Sequence, residues 1–198
     1  MSAKNSVREL VVKENGFVFR GTHYSFDDID HIRFVRANTN YHMNFVKYGS
    51  EESAGMLLIF NSGEKINLIE KPGMFLNSNK SNIKSIIDFY ILCTNSTFEN
   101  RISKYIKDIK DRGYFSYGEF YFYPISKIIR FEDIEFSAET IDFMRGYGYI
   151  ELRKKNCGML DRLKRELSMS KTYMIDTLTD TDVFFSLLDR FFGLQWSR

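Results

Sequence analysis

Thiols are nearly absent from this sequence. Cys93 and Cys157 are the only two among 198 residues and stand in unrelated surroundings, which leaves neither a disulfide framework nor a cysteine-based zinc site. Proline is scarce too, at two residues, so few breaks are forced on the backbone. The three histidines, His23, His31 and His42, show no His-x-x-x-His or His-Glu-x-x-His spacing. No apolar run approaches the ~18–20 residues of a spanning helix. The first residues are polar, without the apolar stretch of a signal peptide. An excess of one charge is also missing: 28 basic against 26 acidic side chains leave a formal +2, which argues against a dedicated nucleic-acid binder. With 43% hydrophobic and 27% charged residues, the composition is that of a globular chain of one domain or two small ones. A reducing, cytoplasmic location is the expectation.

Aromatic residues, by contrast, are plentiful: 19 Phe, 12 Tyr and one Trp. Phe, Tyr, Asn, Lys and Ile share A/T-rich codons, so this abundance does not by itself argue for a stacking site. More informative is an internal repeat. Residues 16–34 and 113–131 align without a gap at an offset of 97, pairing Gly16 with Gly113, Gly21 with Gly118, Tyr24 with Tyr121, and Ile32-Arg33-Phe34 with Ile129-Arg130-Phe131. Three further blocks follow in the same order: 55–60 with 148–153, 65–70 with 172–177, and 85–91 with 186–192. Four blocks in one order point to a duplication.

Each half carries short β-branched and aromatic segments followed by a helical pattern. In the first, residues 9–13, 17–20, 23–26 and 31–38 read as strands. Residues 56–60 and 65–70 read as a hairpin around Asn61-Ser62-Gly63-Glu64. Ile83, Ile86, Ile87, Tyr90 and Ile91 then line one helical face. Ser96-Thr97-Phe98-Glu99 matches a capping box that would open a second helix, lined by Phe98, Ile102, Tyr105, Ile106 and Ile109. In the second half Val183, Phe184, Leu187, Leu188, Phe191 and Phe192 form the closing helix, with N-cap candidates in residues 179–182. Residues 39–54 and 154–170 are long and dissimilar, and read as insertions.

Strands, then one amphipathic helix, in both halves: this order resembles the tandem bacterial form of the pleckstrin-homology-like superfold. The resemblance rests also on the Gly-containing first hairpin, the polar turn after it, and Ile29-x-x-Ile32-Arg33-Phe34. It implies an α+β fold of two small antiparallel β-barrel or curled-sheet domains, 1–96 and 113–198, each closed by a C-terminal amphipathic helix. Helix 97–112 would connect them. Such a fold hosts many activities, so function has to be argued from sites.

Enzyme signatures are missing. There is no Walker loop, Gly-x-Gly-x-x-Gly or Gly-x-Ser-x-Gly, and the only Asp-x-Lys, at Asp108-Ile109-Lys110, falls on a helix. Asp27, Asp28 and Asp30 near His23 and His31 read as a solvated acidic turn, and Glu132 and Asp133 point to opposite faces of a strand. No enzyme activity, cofactor or metal is expected. What stands out is charge. Within 153–171, Arg153, Lys154, Lys155, Arg162, Lys164, Arg165 and Lys171 outnumber Asp161 and Glu166, a local +5, while the rest of 113–198 carries −6. Leu160, Leu163 and Leu167 share one helical face there. The reading is a non-catalytic adaptor whose basic segment, through Arg153, Lys154, Lys155, Leu160, Arg162, Leu163, Lys164 and Arg165, meets a protein partner. Anionic lipid headgroups or nucleic acid are the alternatives, and an enzyme with an unrecognised site comes after them. Strands within 114–123 carry Phe and Tyr at successive positions, so both faces need cover, from the other repeat or from another chain.

Overall fold

The computed structural model describes the backbone of residues 7–43, 46–70, 80–131, 134–146, 149–154, 172–174 and 178–193, and their side chains except at 38–51, 80–81, 141–154 and 172–174. The chain divides into two units, Met1–Asn100 and Arg101–Arg198.

The first unit begins with strands β1 (Leu10–Lys13), β2 (Gly16–Phe19) and β3 (Thr22–Ser25), which form an antiparallel sheet in that order. Arg20 and Gly21 turn the β2–β3 hairpin with both φ angles positive, 53° and 82°. This left-handed pair matches the twist of two strands joined by a two-residue loop. Gly16 is required for another reason: a Cβ there would lie 2.1 Å from the Tyr24 carbonyl oxygen, on the facing strand. A short turn, Phe26–Asp28, leads to β4 (Ile29–Met43), β5 (Val46–Phe60) and β6 (Lys65–Glu70), a second antiparallel sheet. Alternation selects the core: Ile66 and Leu68 on β6, and Ala54, Met56, Leu58 and Phe60 on β5, point inward. They pack with Phe17, Phe26, Ile29 and Ile32 and with Ile83, Ile86, Phe89 and Cys93 of helix α1 (Lys80–Arg112). Phe17 is wholly buried, with its ring 5.1 Å from Phe89 and 5.4 Å from Tyr24.

The second unit carries a four-stranded antiparallel meander of β7 (Phe115–Tyr117), β8 (Phe120–Tyr123), β9 (Ile128–Phe131) and β10 (Ile134–Ser137). A three-stranded sheet of β11 (Ile141–Gly146), β12 (Tyr149–Lys154) and β13 (Thr172–Met174) follows, then helix α2 (Thr181–Phe192). Phe115, Phe120, Phe122, Ile129 and Phe131 face inward with Val183, Phe184, Leu187 and Leu188. Tyr117 stacks flat on Phe184 at 3.8 Å and donates its hydroxyl proton to the Thr179 carbonyl.

The mixed α+β architecture and the strand-then-helix order agree with the sequence. Several details differ. Among the described residues no sheet closes into a barrel: the turns after β3 and after β10 carry the chain out of one small sheet into another. The expected separate helix 97–112 is the second half of one continuous helix. Nothing between 80 and 112 breaks it, since the stretch holds no Pro or Gly, and the Thr97 hydroxyl donates to the Cys93 carbonyl one turn back rather than capping an end. Gly113, at φ 80°, ends it by donating to the Ile109 carbonyl. Of the insertion expected at 39–54, residues 39–43 and 46–54 are strand, lengthening β4 and β5, which pair as far as Met43 opposite Val46.

The aligned blocks fall on elements that differ between the units: two three-stranded sheets precede the helix in the first, a four-stranded and a three-stranded sheet in the second. Gly21 is the second residue of its turn, whereas Gly118, at φ 59°, is the first of its own. Ile32-Arg33-Phe34 lies on β4, which pairs with β5, while Ile129-Arg130-Phe131 lies on β9, which pairs with β8 and β10.

Candidate interaction surface

Of the basic segment, Arg153 and Lys154 are placed at the end of β12, opposite Asp142 and Ile141, with side chains outside the described residues. Lys155, Leu160, Arg162, Leu163, Lys164 and Arg165 lie outside the described residues altogether, as does Cys157. The acidic turn of the first unit is knitted into its surroundings: Asp27 accepts from Asn100 Nδ2 at 3.1 Å, and His31 Nε2 is 3.4 Å from Asp30. Among the described residues no group of three His, Cys, Asp or Glu side chains is placed to hold a metal ion. No helix among them is long and apolar enough to cross a membrane.

Sequence reading missed a charged cluster in the core of the second unit. Arg101 falls on the stripe of α1 marked by Cys93 and Thr97, four residues apart each time, and is fully buried. Its Nη1 donates to Asp180 at 2.9 Å and to Asp182 at 2.9 Å, and its Nη2 donates to the other Asp182 oxygen at 2.7 Å. Burial pulls the Arg101 pKa down, but the bonds and charges of Asp182 and Asp180 more than reverse this and raise it above its ordinary value. Asp180 takes the N-cap position of α2, as its place in residues 179–182 suggested, yet makes no side-chain cap bond. Its carboxylate is turned to Arg101 instead. With Arg101 and Asp180 buried and Asp182 only partly exposed, the cluster's role is to fix α2 on α1. The legible signal was a charged residue on an apolar stripe.

A different group of side chains faces outward. The Phe and Tyr of 114–123 are sorted by strand alternation: Phe115, Tyr117, Phe120 and Phe122 turn inward, while Tyr114, Tyr121 and Tyr123 are half-exposed on the opposite face. The strands are therefore not apolar on both sides, because each outward ring carries a hydroxyl. Tyr114 lies 5.6 Å from Tyr121 and 5.4 Å from Tyr123, centroid to centroid. The Arg130 guanidinium sits over Tyr121 at 5.2 Å and Tyr123 at 5.8 Å, and that of Arg112 over Tyr114 at 5.5 Å. Register aligns Ser116, Tyr121, Arg130 and Glu135 as one row across all four strands. At the end of this face Ile125 projects from the β8–β9 turn, 89% exposed. Arg112 is also tied to Asp108, whose bond and charge raise its pKa.

Three tyrosines in edge-on and tilted contact, with a guanidinium over two of them, make an aromatic surface with donors at its rim. Tyr and Arg are the side chains that carry protein contacts, since they bring large area at small conformational cost. What the two units define is an α+β chain of small antiparallel sheets, each unit running into a helix. Comparison with family models, curated proteins and solved structures gave no match for this chain.

Proposed function

We propose that this chain is a non-catalytic, protein-binding adaptor of the cytoplasm, built from two pleckstrin-homology-like units, with the Tyr–Arg face of β7–β10 as its principal contact surface. The observation that carries this reading is the ordered set of Tyr114, Tyr121, Tyr123 and Arg130 on the outer side of a short sheet. The four-strand meander, three-strand sheet and closing helix of the second unit support the superfold resemblance. The basic segment 153–171 joins the reading as a charged flank that speeds encounter, while the tyrosines supply affinity.

Photo-crosslinking from position 116, exposed in the same row as Tyr121 and Arg130, identifies the partner in its native cells. Tyr121→Ala with Tyr123→Ala is then expected to weaken binding of the purified partner by about tenfold or more, with the circular dichroism spectrum unchanged. Equal binding by the double variant and the wild type would remove this face from the function.

A further inference from the structure

The outer row of the β7–β10 sheet ends in two opposite charges that do not meet. Arg130 and Glu135 are register partners on neighbouring strands, a placement in which a cross-strand ion pair commonly forms. Here the guanidinium lies instead over the Tyr121 and Tyr123 rings. No ion pair joins either charge to another described residue. Glu135 is exposed and Arg130 half-exposed. The face thus offers one fixed cation and one free anion side by side.

This arrangement decides between occupants. A polyanion, whether nucleic acid or an acidic peptide, would meet Arg130 but be repelled by Glu135. Stacked bases would have to displace the guanidinium from the tyrosine rings. A surface that presents an acid opposite Arg130 and a base opposite Glu135 satisfies both charges. A second copy of the same face does so by symmetry: a two-fold axis midway between the two residues sets each Arg130 against the other copy's Glu135. An isologous contact needs this self-complementarity.

We propose that the partner of the Tyr–Arg face is a second copy of this chain, paired through reciprocal Arg130–Glu135 contacts; this deepens the protein-binding reading and rests on it. Four short strands, at about 4.8 Å spacing, cover only a few hundred Å². That is below the ~800 Å² per partner of a standard interface, so the dimer belongs to the weak, exchanging class.

The test is sedimentation of the full chain at low salt from about 10 µM to about 1 mM, where contacts of this size report. The wild type is expected to dimerise across this range. Arg130→Glu and Glu135→Arg are each expected to weaken it at least about tenfold, with melting unchanged. A one-to-one mixture of the two single variants then re-associates, because each supplies the charge the other lost, and the double variant Arg130→Glu/Glu135→Arg also regains dimerisation. Glu135 is exposed, so its variant keeps the test open even if Arg130→Glu disturbs the tyrosines. A wild type that stays monomeric, or single variants that fail to re-associate on mixing, overturns the proposal. So does single-stranded oligothymidine binding that is lost in Arg130→Glu, which would reassign the face to nucleic acid. If the chain is monomeric yet Tyr121→Ala/Tyr123→Ala loses a different protein, only this inference falls. If that variant loses nothing, the protein-binding reading falls with it.

Discussion

Arg101 has no exposed surface and is held by charge on the stripe where α1 otherwise buries apolar side chains. Removing its charge leaves Asp180 and Asp182 close together with their counter-ion gone. Arg101→Met is therefore expected to lose about 3–5 kcal/mol, the range for breaking a buried pair from one side, as a lower urea midpoint. Arg101→Lys is expected to recover little, since an ammonium cannot donate to Asp180 and span both Asp182 oxygens at once. Tyr24 supplies a second residue-scale expectation. Its hydroxyl donates to Glu64 at 2.7 Å, and that bond, with burial and the carboxylate charge, raises the Tyr24 pKa above 10.0. A raised pKa means the contact is whole below the unfolded value of about 10 and is lost as pH climbs through the folded one. Tyrosinate absorbance should show a late-titrating ring, and Glu64→Gln should lower its midpoint.

At the scale of elements, α1 shows how a local motif yields to its surroundings. Ser96-Thr97-Phe98-Glu99 has the residues of a capping box, yet Thr97 is buried mid-helix and bonds back to Cys93. The two readings differ in what a proline does. At a helix start Thr97→Pro would be tolerated, but within a continuous helix it removes the bond to Cys93 O and clashes with it, at about 3 kcal/mol or more. We expect the second outcome, as a fall in far-UV ellipticity and in the urea midpoint. The β4–β5 hairpin teaches the same lesson from the other side. Asn38-Thr39-Asn40 and Gly49-Ser50-Glu51-Glu52 have loop-like composition, and pairing between the strands makes them β structure all the same.

For the whole molecule the charge distribution matters more than its total. Residues 153–171 hold +5 against −6 in the remainder of 113–198. On the proposed reading of this segment as a solvated flank, converting Lys154, Lys155, Arg162 and Arg165 together to Glu is expected to leave melting nearly unchanged, because solvated charges are worth ~0–1 kcal/mol each. Partner capture should weaken, more at low salt than at high. Binding traces at two ionic strengths check this, and equal capture at low salt would leave the segment without a role in recognition.

The sequence by itself determined the strand-then-helix order and the inward faces of the strands, because these follow from residue periodicity and turn chemistry within a few neighbours. Phe17, Leu58, Leu68 and Phe122 are buried where alternation puts them, and Gly63 turns its hairpin where the pattern asks. Tertiary structure alone decided what meets at long range. It brought Arg101 against aspartates about eighty residues away in sequence, and it set the buried Tyr117 ring on Phe184 of α2. Both depend on contacts between segments far apart in the chain, where burial and charge pairing outweigh local propensity.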